Sequence, residues 1–117
     1  LGGRKTKTTM DADCLLAARN LSAALRERGI GVGVMTGDLS AELAEQIAIK
    51  MNRAGPGIFF FNAGDVLNSP DAVEKLSEAT DVIVLGQNGV TKLENVEKEI
   101  TLLKAFGKKI VGVITVE

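Results

Sequence analysis

Residues 80–116 read TDVIVLGQNGVTKLENVEKEITLLKAFGKKIVGVITV, and this stretch decides the fold. Residues 81–86 form a short apolar run that stops at glycine, as a buried parallel strand does. Thr91 is followed three positions later by a glutamate, which predicts a capping box at a helix start. Apolar residues then recur at helical spacing until Gly107, where a left-handed turn can end the helix. Residues 109–116 form a second strand, so the stretch predicts a β–α–β unit with parallel strands.

Two further strands are predicted upstream, at residues 30–36 and 57–62. Helical segments separate all four strands. This alternation is typical of a three-layer α/β/α fold with a mainly parallel sheet, as in P-loop and Rossmann-like domains. The continuous apolar run at residues 58–61 favours a position in the centre of the sheet, with both faces covered. We therefore expect residues 58–61 and 82–85 to be the most buried runs of the chain.

The start of the chain differs in composition from the rest. Residues 1–10 are Gly-rich, then basic and Thr-rich, and we expect a loose tail there, with a short edge strand as the alternative. A single α/β domain is expected at 11–117. Its first helix is predicted to begin at a cap, Asp11 or Asp13, and to end near Arg28. If a membrane helix precedes the tail, the cations of the tail fit a cytoplasmic flank.

Composition excludes several function classes. The chain has 117 residues, 45% of them hydrophobic, and a net charge of −1, which suits one globular domain and gives no field for nucleic acid. Four Phe are its only aromatic residues, so stacking on nucleic-acid bases is disfavoured. With a single cysteine, Cys14, and no His, the chain has neither an internal disulfide nor the usual zinc ligands. We expect no metal and no cofactor.

Polar residues follow the predicted strands. Ligands of such folds bind beyond the carboxyl ends of the strands, and the residues placed there are Asp38, Asn62, Asp65, Gln87 and Asn88. Asp38 and Asp65 could bind a cation together, because carboxylates suit hard ions. Roles as a helix cap and a turn residue explain the same two aspartates without function. Ser40 is the other candidate cap for the second helix, and Ser69 followed by Pro70 predicts the start of the third.

The chain resembles the cytosolic domain of bacterial tyrosine kinases of polysaccharide export (BY-kinases), which belong to the MinD/ParA-like P-loop class. The resemblance covers residues 13–116. It is carried by elements that match the scaffold of that family: Asn20-Leu21, Ser69-Pro-Asp-Ala72, the strand at Asp81, Thr91 with Val96, Leu102-Leu103, Gly107 and Val111-Gly-Val113. The resemblance also implies a central strand ahead of the phosphate loop. Residues 1–9 suit that strand poorly, so we expect either that it lies upstream or that the four strands pair differently.

The chemical motifs of that family are altered here. A phosphate loop needs glycine before its Lys-Ser/Thr pair, but Thr6 precedes Lys7-Thr8, and Cys14-Leu15 occupy the position that the family pattern gives to that pair. Of the Asp-x-Asp motif only Asp38 remains, and Asn62 stands in place of the metal-binding aspartate. The chain has no Tyr that could be autophosphorylated. These departures argue against kinase activity and leave no catalytic residue to name.

The resemblance implies a non-catalytic interaction or regulatory domain in bacterial capsule, exopolysaccharide or lipopolysaccharide biosynthesis and chain-length control. Such a domain would act through self-association or a protein partner, in the cytoplasm at the inner face of the membrane. One alternative is a small regulatory domain that binds a nucleotide or a sugar at the strand ends. The other is a divergent ATPase or kinase that takes its phosphate loop from elsewhere.

Overall fold

The fold follows from a computed structural model that describes residues 2–55 and 57–116, with residues 2–11 described by their backbone alone. The elements are α1 (Gly2–Glu27), β1 (Val32–Gly37), α2 (Ala41–Ala54), β2 (Phe59–Gly64), α3 (Pro70–Leu76), β3 (Asp81–Gln87), α4 (Leu93–Ala105) and β4 (Lys109–Val116). All strand pairs are parallel, and the sheet order is β2-β1-β3-β4. The predicted α/β class and parallel sheet are confirmed.

The sheet is wound in two directions from its centre. β1 leads through α2 outward to β2, whereas β3 leads through α4 outward to β4 on the other side. Because crossovers between parallel strands are right-handed, the two directions place α2 and α4 on opposite faces. One apolar core joins α1 and α2 to the sheet through residues such as Met35 and Ile83, and a second joins α3 and α4 to Val34 and Val82. These are the three layers that the sequence predicts.

The apolar run at residues 58–61 lies in an edge strand, so the prediction that it occupies the centre was wrong. Val82–Leu85 in β3 are fully buried as predicted, but Phe59 is 61% exposed. Phe60 points to the covered face and fills space left by Gly33 and Gly55, since a Cβ on either would lie 2.6 Å from its ring. The other face is open at Phe59 because α3 spans only seven residues and leaves the start of β2 uncovered.

Helix α1 begins earlier than predicted. Its helical backbone starts at Gly2 rather than at Asp11 or Asp13, so the segment expected as a tail or an edge strand continues into the helix. Extending an existing helix costs little, and no proline lies in this part of the chain to stop it. The side chains of residues 2–11 lie outside the described part. The end of α1 at Glu27 agrees with the prediction, and Gly29 adopts a left-handed conformation (φ +75°) two residues later.

Two other predicted helix starts are confirmed in position. The Oγ of Ser40 accepts a hydrogen bond from the backbone N–H of Leu43 at 3.2 Å and caps α2. Ser69 precedes α3 with Pro70 in the first turn, although its hydroxyl makes no capping bond. Gly107 (φ +77°) follows α4 in a left-handed turn, as predicted.

One ion pair ties the end of α1 to the start of β3. The guanidinium of Arg28 meets the carboxylate of Asp81 through Nε at 3.1 Å and Nη2 at 3.2 Å. The Asp81 side chain is 2% exposed, so this pair neutralises a carboxylate that the sheet has removed from water. None of the described helices combines the length and apolarity needed to cross a membrane.

Candidate functional site

The candidate site is the carboxyl edge of the sheet. β1 and β3 are neighbours whose outgoing connections run in opposite directions, and this arrangement marks the position where ligands bind in doubly wound folds. Asp38 follows β1, and Gln87 with Asn88 ends β3. Asn62 and Asp65 belong to the end of β2, beside β1. The five predicted residues therefore lie along one edge.

Hydrogen bonds of the Thr36 side chain join the carboxyl ends of β1 and β2. It is fully buried, and its Oγ1 donates to the carbonyl of Gly64 at 2.5 Å and accepts from the N–H of Val66 at 3.1 Å. Asn62 accepts from the N–H of Gly64 through its Oδ1 at 3.0 Å. The start of the loop after β2 is thus held against the strand ends by side chains of β1 and β2.

Asp65 serves as a turn residue. Its Oδ1 accepts from the N–H of Leu67 at 2.9 Å, and its Oδ2 accepts from Nδ2 of Asn68 at 2.6 Å. A carboxylate that bonds its own backbone two residues on stabilises a local turn. This agrees with the structural role that the sequence offered for Asp65 as an alternative to cation binding.

Thr91 does not cap α4, and the predicted capping box is wrong. The helix begins after Lys92, with no side-chain cap. The Oγ1 of Thr91 instead accepts from the N–H of Gln87 at 2.8 Å and donates to the carbonyl of Asp38 at 3.2 Å. Nδ2 of Asn95 donates to the Asp38 carboxylate at 2.8 Å. A turn bonded from the Thr91 N–H to the Gln87 carbonyl turns the hydroxyl toward the strand ends, and this contact outweighs the local capping pattern.

Glu99 is a functional candidate that the sequence reasoning missed. It lies on the sheet-facing side of α4, one turn before Leu103, and is fully buried. Neither of its carboxyl oxygens has a hydrogen-bond partner among the described residues. Burial, with smaller contributions from the charges of Asp65 and Asp38, raises the pKa of Glu99 from 4.5 to about 7. The signal was an acidic residue inside the apolar stripe of α4, where hydrocarbon is the rule.

This arrangement is acidic and largely bonded to itself. No group of three acidic, His or Cys side chains in the described residues is placed to hold a metal ion. Phosphate sites rely on free backbone N–H groups and cations, whereas Asp38, Asp65 and Glu99 would repel an anion here. Cys14, a residue of α1, is buried in the core between that helix and the sheet. The Lys7 side chain lies outside the described part.

The outer edge of β2 is covered by one side chain. The amide of Asn52 on α2 donates from Nδ2 to the carbonyl of Phe60 and accepts the N–H of Phe60 at Oδ1, both at 2.7 Å. The N–H of Phe59 donates to the carbonyl of Gly31, just before β1. Because successive residues of a strand bond to opposite sides, the N–H and C=O of Phe60 point away from β1, toward the outer edge of the sheet. Asn52 therefore occupies the place that another strand would take.

No protein-family model, curated protein or solved structure matches this chain. The fold and the strand-end geometry define a doubly wound α/β domain with an acidic, self-bonded carboxyl edge.

Proposed function

We propose that this chain is a non-catalytic interaction or regulatory domain of a bacterial polysaccharide biosynthesis and chain-length control system. The biological setting comes from the resemblance of its scaffold to the polysaccharide-export kinases. The observation that carries the non-catalytic part is the state of the carboxyl edge. Several of the groups that could act on a ligand there, from Thr36 to Asn95, bond to one another instead.

We expect a nucleotide to bind only weakly at the carboxyl edge of the sheet. Each hydrogen bond to a charged group is worth about 1.5–3 kcal/mol, so the absence of the lysine and hydroxyl contacts removes roughly 3–6 kcal/mol. That corresponds to about two to four decades of affinity, which turns a micromolar site into a millimolar one. The carboxylates of Asp38 and Asp65 oppose a phosphate further.

A sugar-binding regulatory domain is the second candidate, and Glu99 is the observation that favours it. Its two oxygens lack partners among the described residues, and hydroxyl groups of a sugar are donors that would satisfy them once α4 moved to expose the fully buried carboxyl. A thermal-shift screen of monosaccharides and sugar nucleotides tests this candidate. Stabilisation that is lost in Glu99→Leu would favour it over the interaction domain.

Two measurements test the proposal. Calorimetric titration of the domain with Mg-ATP is expected to show no binding tighter than about 1 mM. Micromolar binding that disappears in Asp38→Ala, but persists in the surface variant Asp71→Ala, would overturn the non-catalytic assignment.

The second measurement addresses the biological setting. In a strain that encodes this chain, an in-frame deletion is expected to alter the length distribution of the exported polysaccharide, and a plasmid copy is expected to restore it. An unchanged distribution would refute the polysaccharide assignment without touching the fold or the first test.

A further inference from the structure

The two edge strands of the sheet differ in whether a side chain covers their outer backbone groups. Asn52 covers the middle of β2, but β4 is an edge of eight residues that runs KIVGVITV. Of the described side chains, none is seen to bond the outer backbone of β4 as Asn52 bonds Phe60. A long apolar edge strand is a template for pairing with another strand.

The outward backbone groups of β4 can be assigned. The carbonyl of Val116 accepts the N–H of Asn88 at 2.6 Å, so Val116 turns its backbone toward β3. Because successive residues of a strand bond to opposite sides, Val113 and Thr115 direct their N–H and C=O groups outward. Val113 is 48% exposed, and the Thr115 side chain is exposed as well.

Helix α1 lies beside this edge and adds an exposed apolar side chain, Leu16, to it. A groove of about 200 Å³ separates α1 from β4 and is lined by Leu16, Ala17, Val113 and Thr115, and Asp13 lines it as well. Leu16 is 62% exposed, so hydrocarbon faces water along both the strand and the helix beside it. Burial of such a strip is favourable in proportion to its apolar area.

We propose that β4 pairs antiparallel with β4 of a second copy of this chain, so that the two sheets become one. This inference rests on the proposed interaction function and names its partner. We place the two-fold axis at Val113, an outward-facing residue at the middle of the exposed edge, so that Val113 lies opposite its own copy. Thr115 then lies opposite Val111, the residue at which the register of β4 against β3 shifts.

Two features favour a second copy of this chain over another protein as the partner of β4: the charges near the two ends of the strand, and the closed symmetry of the resulting pair. Lys109 is exposed at the start of β4, whereas Asp13 lines the groove beside the second half of that strand. Antiparallel pairing brings each lysine to the aspartate end of the other copy. Since a two-fold pairing uses the β4 edge of both copies, and Asn52 covers the middle of the β2 edge, the assembly closes as a dimer and does not grow into a fibre. The second copy's α1 covers Leu16 in the same step.

Sedimentation velocity from micromolar to sub-millimolar concentration tests the pairing. The wild-type chain is expected to sediment as a dimer. Val113→Lys sets like charges opposite each other and should weaken dimerisation by about tenfold or more, as should Thr115→Lys. Val90→Lys adds the same charge at a loop residue that is 67% exposed and should leave the dimer unchanged. Circular dichroism checks that each variant is folded.

A charge exchange tests the antiparallel register. Asp13→Lys and Lys109→Glu should each weaken the dimer, and the double variant should restore it. A chain that stays monomeric throughout, a Val113→Lys variant that dimerises like wild type, or a double variant weaker than both singles would overturn the pairing. A monomeric chain whose deletion still alters polysaccharide length refutes the pairing alone and leaves the proposed function standing.

Discussion

Replacement of Glu99 by glutamine should stabilise the protein at neutral and alkaline pH. Glutamine keeps the length and shape of the side chain but carries no charge at any pH. The wild-type carboxyl is buried with no partner among the described residues, and the charges of Asp65 and Asp38 act on it as well, so its ionised form is disfavoured in the folded protein. The amide removes that penalty and leaves the packing of α4 on the sheet nearly unchanged.

The size of the effect follows from the difference between the two pKa values. The carboxyl titrates near 4.5 when unfolded and near 7 when folded. One pKa unit of difference is worth about 1.4 kcal/mol, so Glu99 costs roughly 3–4 kcal/mol once it is ionised in both states. Below a pH of about 4.5 the Glu99 carboxyl is protonated in both the folded and the unfolded protein, so it costs no stability there. The free energy of unfolding therefore falls as pH rises from about 4.5 to 7, and changes little from this group above that range.

Urea denaturation at about pH 5 and about pH 8 measures this difference. Wild type and Glu99→Gln should be close in stability at the lower pH, and the variant should be more stable at the higher pH. Glu97→Gln is the matched control, because Glu97 is exposed on the same helix and should show no pH-dependent gain. An equal difference at both pH values, or a variant less stable than wild type at the higher pH, would show that the Glu99 carboxylate is solvated or paired.

Three further substitutions test the contacts around the strand ends and the sheet edge. Thr91→Ala loses the hydroxyl that joins the end of β3 to the loop after β1 and should cost about 1–3 kcal/mol in urea melts, with unchanged helical circular dichroism. Asn52→Ala uncovers the outer edge of β2 and should cost about as much and promote aggregation, whereas Arg53→Ala next to it should do neither. Gly37→Ala places a methyl group against the backbone of β3 and should cost about 1–3 kcal/mol, whereas Gly31→Ala, which meets open space, should be tolerated.

The fold class was predictable because each element carries its own local signal. Ser40, Pro70 and Gly107 mark helix ends through backbone chemistry that depends on few neighbours. The order of the strands has no such signal. A run such as residues 58–61 reads as fully buried whether it lies at the centre or at an edge, since periodicity does not report which neighbours a strand has.

The position of the candidate site was predictable from the sequence, but the contacts within it were not. Asp38 and Asp65 follow strands, so their place at the carboxyl edge could be read from the chain. The bridge from Thr91 to Asp38 could not, because it joins residues 53 positions apart and displaces a local cap. Glu99 was missed for a similar reason, since its burial depends on how α4 lies on the sheet.

The order of the sheet also has a consequence for how the chain reaches its native state. β1 with β2, and β3 with β4, are each linked by one helix, so either half can form by closing a short loop. The seam between β1 and β3 joins distant parts of the chain, as the Arg28–Asp81 pair shows across 53 positions. Contacts of that span form slowly because a long loop must close first. We therefore expect the β1–β2 and β3–β4 halves of the sheet to form early. Each half then has an unpaired strand, β1 or β3, and we expect the pairing of these two strands to limit the folding rate.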